Sequence, residues 1–240
     1  VYARRQALHA TADAVVIAAW RADLHGINLA PAVTAWRQAI GETTDPATQR
    51  RRQAAAAAVL GTLSARSWSR TRTALALAAK RAHRTGWAAG HAIATRDHTD
   101  DSDYDEPDAN PYQIGSPDMT DHAADATAGA VLSAGLRASA NRAGRAMADS
   151  EDDPEGDAED ALDDGMDLAL AVDVGVSAAY GAGMLAAYLG AGTGGVMWLT
   201  AGDERVCDLC MANETASPYG LLGAPTLPAH TRCRCCLAPA

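Results

Sequence analysis

Apolar positions recur at helical spacing through most of this chain. Over residues 3–23, Leu8, Ala12, Val15, Val16 and Ala19 fall on one face and predict a helix. "HGIN" interrupts it, and Pro31 opens a shorter helix that closes at Ile40. Thr44 or Asp45 as cap, with Pro46 in the first turn, starts a pattern running to about Arg96, with a break expected near Gly61. Ser116 and Pro117 open another helix, lasting to about Ala148, and Pro154 opens the one carrying "MDLALAVDVGVSAAYGAGMLAAYL". The glycines from Gly190 to Gly195 should stop that helix. Its uncharged piece, Val174 to Leu189, then falls short of the ~20 residues a membrane span needs and reads as a buried helix. Only beyond the glycines does strand character appear, in "VMWLT" and again in "RCRCCLA".

Composition sharpens this picture. Alanine dominates and phenylalanine is absent. Alanine favours helices because it loses no side-chain entropy there, but it buries little apolar area. A thin core is expected, one that needs a metal or a partner for support. The net charge of −10 is unevenly spread: residues 1–96 are strongly basic and residues 97–169 strongly acidic. Compensation between solvated faces accounts for that more simply than separate binding surfaces. The stretch "RDHTDDSDYDEPDANPYQIGSPD" is acidic and turn-rich, as an exposed linker is. No signal peptide is expected, and a first residue that is not methionine suggests a trimmed chain or a piece of something longer. The organisation expected is a basic helical region at 1–96, an acidic linker at 97–120, a helical region with an acidic stretch at 121–190, and a separate module at 191–240.

That last module holds every cysteine. Cys207 and Cys210 form C-x2-C, and His230, Cys233, Cys235 and Cys236 follow as H-x2-C-x-C-C. Two such pairs, brought together by a loop, give the tetrahedral soft-ligand site that zinc prefers. Cys207, Cys210, His230 and Cys233 are the expected ligands, with Cys235 competing for the fourth place and Cys236 a small core residue. One structural zinc per chain would offset the thin core. The competing reading is a disulfide framework, which an odd count leaves with one thiol over. A redox C-x2-C would need a βαβ setting that the chain lacks. The expected fold is therefore mainly α: a helical body with a small C-terminal zinc-stabilised β-hairpin module.

The segment from Trp198, "WLTAGDERVCDLC", followed by "PAHTRCRC", resembles the C-terminal signature of the phage Mu F-like minor head proteins, the head-morphogenesis family of tailed phages. The matching residues are Trp198, Asp203, Arg205, Cys207, Cys210, His230, Cys233, Arg234 and Cys235. The basic "SRTRTALALAAKRAHRTG" is similar in kind to a helix such proteins carry earlier. The chain departs from the pattern at Thr231, where the family usually has proline, and in "MANETAS", which lacks a common glycine. The resemblance implies a structural minor component of the phage head, associated with portal or major capsid protein and serving assembly or DNA delivery. Its place would be the virion, and the host cytoplasm during assembly. The alternative from a different class is a zinc-containing binding or delivery module of a toxin system, or a DNA-associated adaptor.

Other patterns carry less. Gly190, Gly192 and Gly195 spell G-x-G-x-x-G, but the dinucleotide fingerprint needs a strand before and a helix after. The order here is reversed, so a hinge is expected instead. Asp101, Asp103 and Asp105 have the spacing of a calcium loop, yet Glu106 and Tyr112 stand where glycine and glutamate belong. Arg66, Arg70, Lys80, Arg81 and Arg84, with Trp68 and Trp87, could face packaged DNA. Core tryptophans with solvated arginines are the simpler account. The remaining histidines are scattered outside any catalytic signature, and no enzyme is expected.

Overall fold

The computed structural model describes residues 2–40, 48–95 and 115–240. The acidic segment around Asp101, Asp103 and Asp105 lies outside the described residues. The protein is mainly α-helical, with one small antiparallel sheet near its C-terminus. The helices are α1 (Tyr2–Leu24), α2 (Ala30–Ile40), α3 (Thr48–Ser64), α4 (Ser69–Ala94), α5 (Asp121–Asp149), α6 (Pro154–Asp163), α7 (Met166–Gly190) and α8 (Asp208–Thr215). The strands are β1 (Gly195–Leu199), β2 (Tyr219–Gly220) and β3 (Cys236–Pro239).

Several boundaries correct the sequence reading. The helix expected from Pro46 to Arg96 is two helices, and it breaks at residues 65–68 rather than at Gly61. There Trp68 is buried and its indole N–H caps the Leu63 carbonyl at 2.8 Å. Asp23 then caps α4, accepting the backbone N–H and the hydroxyl of Thr71, both at 2.8 Å. α5 starts at Asp121, not Ser116. Ser116 instead accepts the Asp118 N–H in a turn, and Thr120 caps the helix through the Ala123 N–H. The helix expected from Pro154 is split at Gly165, whose φ of +67° suits glycine alone. Asp153 caps its first half, accepting the Gly156 N–H at 3.0 Å. α7 is 25 residues long, so shortness is no argument about its setting. By length and composition the stretch Pro154–Gly190 could cross a membrane, and 56% of its most apolar window is buried within the protein.

The chain divides into two compact units, each assembled from separate segments. One comprises Asp13–Ala74 and Gly129–Val172. Its core holds Val16, Trp20, Leu29, Leu63, Met147, Leu162 and Leu168. Trp20 and Trp68 stack with centroids 4.5 Å apart. Arg142 answers the acidic stretch, gripping Asp167 with two nitrogens and Asp164 with a third.

The other unit comprises Val1–Ala12, Leu75–Ala128 and Asp173–Ala240. Here α4 and α7 meet backbone to backbone. A Cβ on Gly86 would stand 2.0 Å from the Tyr180 carbonyl oxygen, and one on Gly183 2.0 Å from that of His83. The end of α7 is a hydrogen-bonded cap. Thr193 N–H reaches Tyr188 O at 3.0 Å and Gly192 N–H reaches Leu189 O at 3.1 Å, with Gly192 at φ +72°. That turn delivers the chain into β1.

The sheet order is β2-β1-β3, both pairings antiparallel, so the expected hairpin is a three-stranded sheet with β1 at its centre. Trp198 sits opposite Leu237 and Leu199 opposite Cys236. Trp198, Val196 and Leu237 are buried, and the Tyr188 hydroxyl on α7 donates to the Leu237 carbonyl at 2.9 Å. The strand expected over "RCRCCLA" covers only its end: Cys233 and Cys235 precede β3.

Candidate metal centre

The first pair of cysteines is placed by α8, a helix the sequence reading did not anticipate. Cys207 is its N-cap and Cys210 lies in its first turn. One turn of helix brings residues three apart to the same face. Glu214 near the end of α8 holds the module closed, accepting from the Thr200 backbone at 3.0 Å and its hydroxyl at 2.9 Å. The second set is placed by a tight turn at His230–Cys233, where Arg232 adopts φ +62°. Such a conformation is costly for a residue with a Cβ and persists only where its surroundings fix it. Asp173 on α7 contributes, its carboxylate accepting the Arg232 N–H at 3.2 Å.

These turns converge. His230 Nε2 lies 3.1 Å from Cys207 Sγ and 3.2 Å from Cys210 Sγ, and Cys210 Sγ lies 3.8 Å from Cys233 Sγ. Zinc–ligand bond lengths in a tetrahedral site put two sulfurs about 3.8 Å apart and a sulfur and a nitrogen about 3.5 Å apart. The sulfur pair meets that spacing, and the two contacts to nitrogen are a few tenths shorter. His230 Nδ1 is 2.7 Å from its neighbour's carbonyl at Thr231. A proton on Nδ1 satisfies that carbonyl and leaves the Nε2 lone pair facing both sulfurs, as a metal-binding imidazole requires.

The donor atoms fall into two groups of three, Cys207–Cys210–His230 and Cys210–Cys233–Cys235, each within 4.8 Å. Cys210 belongs to both. Each of the four expected ligands and the fifth candidate, Cys235, belongs to one of these groups, but the four expected ligands do not all fall within 4.8 Å of one another; Cys210 alone links the two sets. Cys236, half-buried at the start of β3, joins neither group. All five cysteines are free thiols. A Cys/His cluster that can hold a metal ion is thus a feature of this module.

The surroundings act differently on each thiol. Cys207 is lowered, chiefly by the free N–H of Cys210 in the first turn of α8. Burial pushes Cys210 far above its usual range. Burial also pushes Cys235 up to about 11, with the Cys210 thiol and the Trp198 indole pulling the other way. Bringing Cys210 and Cys235 to the thiolate form that binds metal therefore calls for the ion itself, whereas Cys207 is already favoured in that form.

Two further contacts surround the cluster. Arg5, only 4% exposed, donates to the Cys235 carbonyl at 2.8 Å and to the Cys233 carbonyl at 2.7 Å. His9 Nδ1 stands 3.0 Å from Asp173, out of line for a hydrogen bond, and its Nε2 is 3.2 Å from the Ser177 hydroxyl. Those are the residue types of a catalytic triad. Ser177 is 2% exposed, however, and the array reads as internal packing. Sequence reasoning missed both, since nothing local connects residues so far apart.

Part of the basic segment forms internal pairs. Arg66, between α3 and α4, bonds the carbonyls of Asp23 and His25; on α4, Arg84 pairs with Asp118 and Lys80 with Asp121, while Arg70, 3.4 Å from the Ala22 carbonyl, and Arg81 are exposed. Trp68 is buried, whereas Trp87 is half-buried with its N–H on the Gly115 carbonyl.

The class defined so far is a helical protein carrying a C-terminal Cys/His cluster beside a small three-stranded sheet. No family model, curated protein or solved structure matches the chain.

Proposed function

We propose that this chain is a structural minor head protein of a tailed phage or prophage, with one structural zinc holding its C-terminal module. The observation behind this reading is the convergence of the residues that carry the family resemblance. Cys207, Cys210 and His230 form one group, Cys210, Cys233 and Cys235 the other, and the side chain of the buried Trp198 on β1 lies near Cys235. Asp203 and Arg234 join the two halves of the signature in a bidentate ion pair. Zinc is the ion of choice because a thiolate-rich set with one imidazole suits its soft tetrahedral preference. With four protein ligands it would have no open position, so its role is to fix a docking surface. Portal or major capsid protein is the partner proposed. Contact with packaged DNA through the basic N-terminal helices stays part of this reading, because Arg70 and Arg81 on α4 are exposed.

The test is peptide mass spectrometry of density-purified phage particles from cells that carry the gene. Peptides of this chain at a low, fixed ratio to the portal are expected. Their absence from intact particles, with portal peptides well detected, would overturn the reading.

A further inference from the structure

We infer that Arg5 is a positioning residue of the metal centre: its guanidinium clamps the segment bearing Cys233 and Cys235. This rests on the metal-site reading above and extends it to the first helix, where no ligand lies.

The geometry is specific. The two terminal nitrogens of one planar guanidinium reach the carbonyls of Cys233 and Cys235, at 2.7 and 2.8 Å. Those carbonyls bracket Arg234, so a single side chain sets the backbone on which both candidate thiols are carried. That backbone lies outside β3 and lacks a strand's ladder to hold it. Arginine's fixed fork matches this task, and lysine's single ammonium does not. Burial adds a second argument: at 4% exposure the guanidinium's hydrogen bonds face little competition from water, which strengthens its hold on the two carbonyls. Asp173 braces the same turn from α7 through the Arg232 N–H, so the ligand segment is gripped from two helices.

The experiment uses the full chain, loaded with zinc, and measures the dissociation constant by chelator competition. The absorption spectrum of the cobalt-substituted protein provides a second readout. Arg5→Gln is expected to weaken zinc about 10-fold or more, the range seen for groups that orient metal ligands. Its cobalt spectrum should shift in position. Arg5→Lys should recover part of the affinity, since its single ammonium can still hold one carbonyl but lacks the fork. Arg66→Gln is the matched control, because Arg66 also holds two carbonyls, but in the other unit. It should leave both readouts unchanged. If Arg5→Gln does not fold, the Arg5→Lys constant decides. Wild-type affinity and spectrum in both Arg5 variants would overturn the inference while leaving the metal site standing. An equal loss in Arg66→Gln would also overturn it, as a general stability effect. A wild-type chain that binds no zinc would overturn the metal reading itself, and this inference with it.

Discussion

Arg234 holds Asp203 with both terminal nitrogens, Nη1 on one carboxylate oxygen and Nη2 on the other. The pair ties the loop before α8 to the segment between Cys233 and Cys235. Asp203 also accepts the Arg205 N–H at 3.0 Å. The Arg234 guanidinium is the main reason its carboxyl is held down at about 2, against an ordinary value of 3.8. Because the folded value is the lower one, the pair's contribution is complete above the unfolded value and is lost as the pH falls through about 2. A carbon NMR titration of the Asp203 carboxyl should place its midpoint there. Arg234→Gln should move it toward the ordinary carboxylate value, and an unmoved midpoint would refute this cause.

Cys210 is the one donor common to both groups of three. Cys210→Ser should abolish zinc binding in native mass spectrometry, whereas Cys233→Ser and Cys235→Ser each leave an alternative thiol and should weaken it less. Structural zinc contributes on the order of 10 kcal/mol in isolated peptides. Stripping the ion with a strong chelator should therefore lower the melting temperature clearly. An unchanged melting curve, or full zinc occupancy in Cys210→Ser, would contradict the arrangement.

His83 is buried and its pKa is lowered, mainly by that burial, although the Pro117 carbonyl and Asp118 pull it upward. The unfolded chain then binds more protons than the folded one once the pH falls below about 6.5. Stability should fall with pH from there down to the folded value and then level off. His83→Gln keeps a donor for the Pro117 carbonyl and should flatten that slope in thermal melts. The same slope in both proteins would refute the assignment.

Glycines at different places should respond in opposite ways. Gly183→Ala forces a Cβ into the His83 carbonyl and should destabilise by about 1–3 kcal/mol, the range for overpacking. Gly61 lies inside α3 with open space where its Cβ would be, so Gly61→Ala should stabilise by about 1 kcal/mol. Denaturant titration of both variants checks the pair. Equal effects would show that the α4–α7 approach is looser than described.

Much of the helical body was legible because its signals are local. Pro31, Pro154 and the glycines after α7 punctuate the chain wherever they occur, and "VMWLT" has the composition of a strand. The break before Trp68 was not legible, since what stops α3 is a buried indole on a carbonyl, while Gly61, the visible helix breaker, sits undisturbed in the helix. α8 escaped because eight residues, one of them a candidate ligand, are too few to show a period. The ligands themselves were readable from spacing. Their support was not: Arg5 lies more than two hundred positions from the carbonyls it holds.

The contact of Gly86 and Gly183 with opposing carbonyls bears on how this unit tolerates change. Where backbones touch, the distance between helices is set by what is missing from the side chains. Trimming has little left to remove at the many alanines of this interior, such as Ala79, Ala82 and Ala187. Enlargement has nowhere to go. A saturation scan of α4 and α7 should therefore show a ceiling on side-chain volume at these positions, the opposite of the floor that a leucine-rich core imposes.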